Sequence, residues 1–139
     1  MLHRVVRLLV AEAGDGLMVR SADVLLQLAH DGLQEAATST SPSRRYAAAH
    51  LSALRSAAAV LATRTHESRA RPTSAWVLLS RVAPELTEWA QFFAAGAEKR
   101  AAAEAGLMGV VTPREADDLL RDAEAFLSVV ETTLLARAG

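Results

Sequence analysis

The sequence predicts an all-α protein, an antiparallel bundle of four to five helices. Three observations carry this. Apolar residues recur at three- and four-residue steps along most of the chain, with no strand-like alternation. Alanine is the commonest residue while β-branched and aromatic residues are sparse, a composition that favours helix. Polar clusters, prolines and glycines cut the periodic stretches into four main segments and one short N-terminal one. With 139 residues the chain suffices for one domain. A domain of this size buries roughly 68–70% of its unfolded surface, so it folds without disulfide or metal. The expected layout is a single helical domain over 1–139. Residues 1–16 form a short amphipathic helix and a turn, and residues 17–139 form the bundle.

The first element rests on Leu2, Val5, Val6, Leu9, Val10 and Ala13, which share a stripe that leaves out Arg4, Arg7 and Glu12. Gly14-Asp15-Gly16 reads as the turn that stops it. Such a helix packs on the bundle or on a second subunit. It does not read as a secretory signal, because Arg7 breaks the short apolar run and Glu12 follows it. No apolar run approaches the roughly 20 residues that span a bilayer, so a soluble, cytoplasmic protein without membrane contact is expected.

A second helix is predicted over 17–37, with Met18, Ala22, Leu25, Leu26, Ala29, Leu33 and Ala36 on one face. TSTSPS then reads as a loop. Ser41 is placed to cap the next helix, with Pro42 at its first position. That helix runs over 42–64 and carries Tyr46, Ala49, Ala53, Leu54, Ala57, Val60 and Leu61 inward, with His50 in the middle of the face. The charged stretch 64–72 has no apolar period and reads as a loop.

Residues 74–100, SAWVLLSRVAPELTEWAQFFAAGAEKR, hold both tryptophans and two of the three phenylalanines. Trp76, Leu79, Ala83, Leu86, Ala90, Phe93 and Ala97 share one face, and Val82, Leu86, Trp89, Phe93 and Gly96 form a second, overlapping one. A helix apolar round more than half its circumference should be the buried centre of the bundle. Trp76, Leu86, Trp89 and Phe93 are the expected core anchors. Each tryptophan can bury roughly 200 Å², worth at most about 5 kcal/mol. Pro84 divides the stretch into a short helix over 74–82 and a long one over 84–104. Gly96 between two alanines invites close approach by a partner helix. Gly106 reads as a stop, and 107–111 as a short connector. Thr112-Pro113-Arg114-Glu115 has the form of a capping box and opens a last helix that runs to about 136. Its expected inward residues are Ala116, Leu119, Leu120, Ala123, Leu127, Val130 and Leu134. The acidic residues Glu115, Asp117, Asp118, Asp122 and Glu124 flank them and suit a helix N-terminus.

Composition also excludes chemistry. No cysteine is present, which removes disulfides, thiolate catalysis and sulfur-ligated metals. The formal net charge of −1 argues against a uniformly basic nucleic-acid binder but allows a local basic patch. His3, His30, His50 and His66 do not pair at helical spacing, and no HExxH or Glu-x-x-His repeat occurs, so no metal is expected. No phosphate-cradling loop follows a strand, and no cofactor is implied.

One combination could carry chemistry: Arg45 and His50, near the start of the helix over 42–64. A guanidinium can hold a phosphodiester while a histidine moves a ribose proton. Equally, His50 can be a core histidine hydrogen-bonded to a neighbour, with Arg45 solvated. Bundle topology gathers Arg44, Arg45, Lys99, Arg100 and Arg114 at one end, where two helix N-termini add backbone donors for an anion. Glu35, Glu98 and Glu115 lie at that end too and can neutralise it. Arg64, Arg69, Arg71 and Arg20 are expected at the other end, a second candidate basic patch.

RYAAAHLSALRSAAAVLA, SAWVLLSRVAPELTEWAQFFAAGAEKRAAAEAG and TPREADDLLRDAEAFLSVVE together resemble an actinobacterial branch of the HEPN-domain proteins. The resemblance covers residues 17–135. It implies a four- or five-helix bundle, often a homodimer. Many HEPN proteins are metal-independent RNases, toxins or defence effectors, with an Arg-x(4–6)-His motif at the dimer cleft. Others are inactive and bind nucleotides or partners. Arg45 and His50, or Arg44 and His50, fit the motif spacing. They lie on the second main helix with Tyr46 after Arg45, whereas the family motif generally opens the final long helix with a polar residue after the arginine. Three functions are therefore expected in order. The first is a dimeric, non-catalytic module that binds a nucleotide, RNA or partner. The second is an RNase using Arg45 and His50, and the third a structural accessory subunit of a larger complex.

Overall fold

The computed structural model describes residues 15–64, 74–107 and 109–138. The N-terminal helix expected over 2–13 lies outside the described residues, as does the charged loop that follows Arg64. Within them the chain is all-α, with six α-helices, one 3₁₀ turn and no strand. The helices are α1 (Asp15–Thr38), α2 (Pro42–Arg64), α3 (Ala75–Val82), α4 (Thr87–Ala95), α5 (Ala97–Glu104) and α6 (Pro113–Ala138).

The local signals act where the sequence puts them. The Ser41 hydroxyl accepts the Arg44 N–H at 3.3 Å, and Pro42 opens α2. Ser74 caps α3 by accepting from the Val77 N–H. Thr112 and Glu115 close a reciprocal capping box over α6, with N···O distances of 2.9 and 3.1 Å. Gly106 has φ +76°, the left-handed conformation that ends a helix, and the Leu107 N–H reaches back to the Ala102 carbonyl. One boundary moves. Asp15 and Gly16 belong to the first turn of α1 rather than to a separate turn.

The long helix expected over 84–104 is three pieces. Pro84–Leu86 is a 3₁₀ turn, α4 follows, and Gly96 separates α4 from α5. Proline deprives this segment of one backbone donor and disfavours helix at Ala83, which adopts φ −137°. At Gly96 the break serves a contact. A Cβ there would stand 3.1 Å from the Tyr46 hydroxyl of α2, a tighter contact than most side chains make, so the chain passes close to α2 at this point.

The largest correction concerns the centre. The aromatic stretch was expected to be the buried middle, yet α4 buries only Ala90 and Phe93 and leaves Phe92 47% exposed. The middle is α2. It buries fourteen of its 23 residues, including the unbroken run Ala57–Ala62, and packs against α1, α3, α5 and α6. The reason is size: alanines and serines take up little radius, so four helices can close round one axis. Ser52 and Ser56 satisfy their buried hydroxyls on the carbonyls of Ala29 and Ser52.

Side-chain pairs give the directions. Ser52 meets Ala29 and Arg45 meets Ala36, so α2 returns antiparallel to α1. Arg45 meets Asp117 and His30 meets Glu131, so α6 runs parallel to α2 and antiparallel to α1. The broken third arm, α3 to α5, runs back along α2 from Arg64 to Tyr46. Its rings fill the space between α2 and α6. Phe93 is fully buried, with ring centroids 5.2 Å from both Trp76 and Phe126 and 5.9 Å from His50. Phe126 of α6 is absent from the inward set that periodicity suggests, yet it too is fully buried. Trp89 lies over this cluster, 5.4 Å from Phe126, and is only partly buried.

Candidate functional site

The residues singled out for chemistry gather where α1 ends and where α2 and α6 begin, as bundle topology requires. What they do there differs from residue to residue. Arg45 spends its guanidinium on structure. Its Nε–H donates to the Ala36 carbonyl at 3.1 Å, one Nη to the Ser39 carbonyl, and the other pairs with Asp117. One side chain thus ties the end of α1, the following loop and the start of α6. The Asp117 partner is 72 residues away and has no local sequence signal.

His50 is 1% exposed. Its Nε2 lies 2.9 Å from the Phe93 carbonyl. A carbonyl only accepts, so Nε2 carries the proton and Nδ1 is the bare nitrogen. Trp76 and Phe93 close on the imidazole edge to face. Burial lowers the His50 pKa, opposed by the Phe93 carbonyl, aided by the Arg100 charge and opposed again by Glu104. The neutral ring is the one the site holds, and Nδ1 is enclosed with no partner.

The pair is not brought together. α2 is unbroken from Pro42 to Arg64, and five residues along a helix turn through about 140° beyond a full revolution. Arg45 therefore faces the α1–α6 junction while His50 faces the aromatic cluster. Arg44, one residue earlier, points away from His50 by a similar angle. Neither arginine can present a phosphodiester to this imidazole within one copy of the chain.

The basic end is largely neutralised. Lys99 pairs with Glu115, and that hydrogen bond raises the lysine and lowers the carboxylate. Arg100 pairs with Glu104 one turn along α5, a spacing readable in the sequence. Arg114 is exposed and makes no ion pair among the described residues. Arg44 is exposed and lines a cavity of about 650 Å³ with Glu35, Glu104, Ser39, Thr40 and Leu51. At the opposite end Arg64 donates to the Val82 carbonyl and pairs with Glu85 at 2.7 Å.

Among the described residues no three His, Asp or Glu side chains gather as metal ligands. No described helix is long and apolar enough to cross a membrane.

Over residues 36–131 the sequence matches a family model described as SAV_6107-like HEPN. The match takes in the end of α1, all of α2 and the aromatic cluster, and stops inside α6. No curated protein matches the chain. No solved structure matches it.

Proposed function

Because the chain belongs to the SAV_6107-like HEPN family, we propose that it works as a non-catalytic HEPN module that binds a protein partner, in the first place a second copy of itself. The observation that carries this is the fate of the Arg–His pairs at RNase spacing. Arg45 is bound on three sides within the fold, and His50 is enclosed and turned toward Phe93. A general acid or base must reach the proton it moves, and an enclosed imidazole reaches none.

A protein partner fits the surface better than a polyphosphate does. Two carboxylates, Glu35 and Glu104, share the large cavity with Arg44, and Glu104 also holds Arg100. Val24 and Leu28 stand exposed one turn apart on the outer face of α1, an apolar strip that a helix of a second copy can cover.

Two measurements test the reading together. Purified protein is incubated with mixed single-stranded and structured RNAs in EDTA, beside a His50→Gln variant. No cleavage by either is expected. Cleavage by the wild type that disappears in the variant would remove the non-catalytic assignment. Light scattering at micromolar concentration should give twice the chain mass, reduced to the monomer by Val24→Glu. A wild-type monomer at every concentration would remove the self-association.

A further inference from the structure

A second, smaller cavity of about 300 Å³ lies between α2, the α4–α5 break and α6. Phe92, Phe93 and His50 wall it, Leu119 reaches it from α6, and Lys99 stands at its rim. Its size is at the lower end of small-molecule sites. His50 offers the cavity neither ring nitrogen, since Nδ1 is enclosed and Nε2 is bonded to the Phe93 carbonyl.

The feature that points to a ligand is Tyr46. The residue is only 7% exposed, and its hydroxyl has no hydrogen-bond partner among the described residues. With no partner inside the fold, the hydroxyl is left to solvent or to a ligand. This oxygen differs from the enclosed His50 Nδ1 and Arg100 Nε in keeping an open side. The open side is the cavity, because Gly96, which also lines it, lies against the oxygen with no side chain between. Any larger residue at 96 would fill that space.

The donors set the class of ligand. Burial raises the Tyr46 pKa, so the hydroxyl stays protonated at neutral pH and donates. Lys99 supplies a positive charge to the same cavity and lowers the Tyr46 pKa electrostatically, against a smaller opposing effect of Glu115. Its ammonium has three donors, so Glu115 does not exhaust it. Below these polar groups the walls are aromatic or aliphatic. We propose that the cavity binds a small aromatic monocarboxylate, its ring against Phe92, Phe93 and Leu119 and its carboxylate between the Tyr46 hydroxyl and the Lys99 ammonium.

Benzoate and 3-phenylpropionate are the probes, titrated calorimetrically into the full chain, with benzyl alcohol as the neutral control. Saturable binding of one carboxylate per chain is expected, at least tenfold tighter than the alcohol. Tyr46→Phe keeps the ring and removes the donor. It should weaken binding at least tenfold, as the loss of a hydrogen bond to a charged group does. Gly96→Ala should abolish binding by placing a methyl group against the Tyr46 oxygen. Thermal unfolding shows whether that variant is folded, and Tyr46→Phe decides the matter if it is not. Equal affinity in Tyr46→Phe, equal affinity for benzyl alcohol, or no saturable binding of either carboxylate would overturn the assignment.

Discussion

His50 is held by one strong hydrogen bond and by exclusion of water, and this makes it sensitive to acid. Its folded pKa lies below the ordinary histidine value of 6.5, first because of burial. Below about pH 6.5 the unfolded chain therefore binds a proton that the folded chain refuses. Stability rises with pH wherever the unfolded state holds more protons, so here it falls on acidification. The fall begins near pH 6.5 and continues down to the lowered folded value, while above pH 6.5 the residue contributes no slope. Urea unfolding between pH 7.5 and 5 should show the decline, and His50→Leu should flatten it. An unchanged slope in that variant would mean the imidazole titrates freely. The sequence already singles out His50, in the middle of the apolar face of α2. Its acceptor, the Phe93 carbonyl, is 43 residues away and exists only once α4 lies against α2.

At the scale of elements, α2 shows how composition can mislead about importance. Ranked by the area a side chain offers, the aromatic stretch 74–100 dominates. Ranked by enclosure, the alanine-rich helix does, because it buries fourteen of its 23 residues against α1, α3, α5 and α6. Its small residues set the distances between axes. Ala57 is fully buried, and Ala57→Leu keeps helix propensity nearly constant while adding three carbons. It should cost about 1–3 kcal/mol through overpacking, measured by urea denaturation. A loss near zero would place a void beside Ala57. The chain also comes close to α2 at Gly96. Periodicity carries smoothly through Gly96, so the sequence predicts one helix over 84–104, whereas the helix breaks there and a Cβ would crowd the Tyr46 hydroxyl at 3.1 Å.

For the molecule as a whole, the stabilising mass is the ring cluster between α2, α6 and the broken arm. Phe126 is fully buried and close to Trp76, Trp89 and Phe93. Phe126→Ala should cost about 3–5 kcal/mol. Trp89 is larger but partly exposed, and Trp89→Ala should cost less, about 1–3 kcal/mol. Chemical denaturation of the two variants orders them, and the reverse order would put Trp89 at the centre of the core.

Local sequence determined the helices, most of their ends and the family. Periodicity, caps and glycine stops act within a few residues, and they are the same in the chain as in the fold. Ser41, Ser74, Gly106 and the Thr112–Glu115 box needed nothing distant. Tertiary structure alone decided which helix lies in the middle, which arginines remain open and what His50 can reach. Those depend on distances between residues far apart in the chain, such as Arg45 to Asp117, Tyr46 to Gly96 and His50 to Phe93. The spacing from Arg45 to His50 is a fact of sequence. The divergence of the two side chains comes from the unbroken helix that carries them and from the partners waiting on either side.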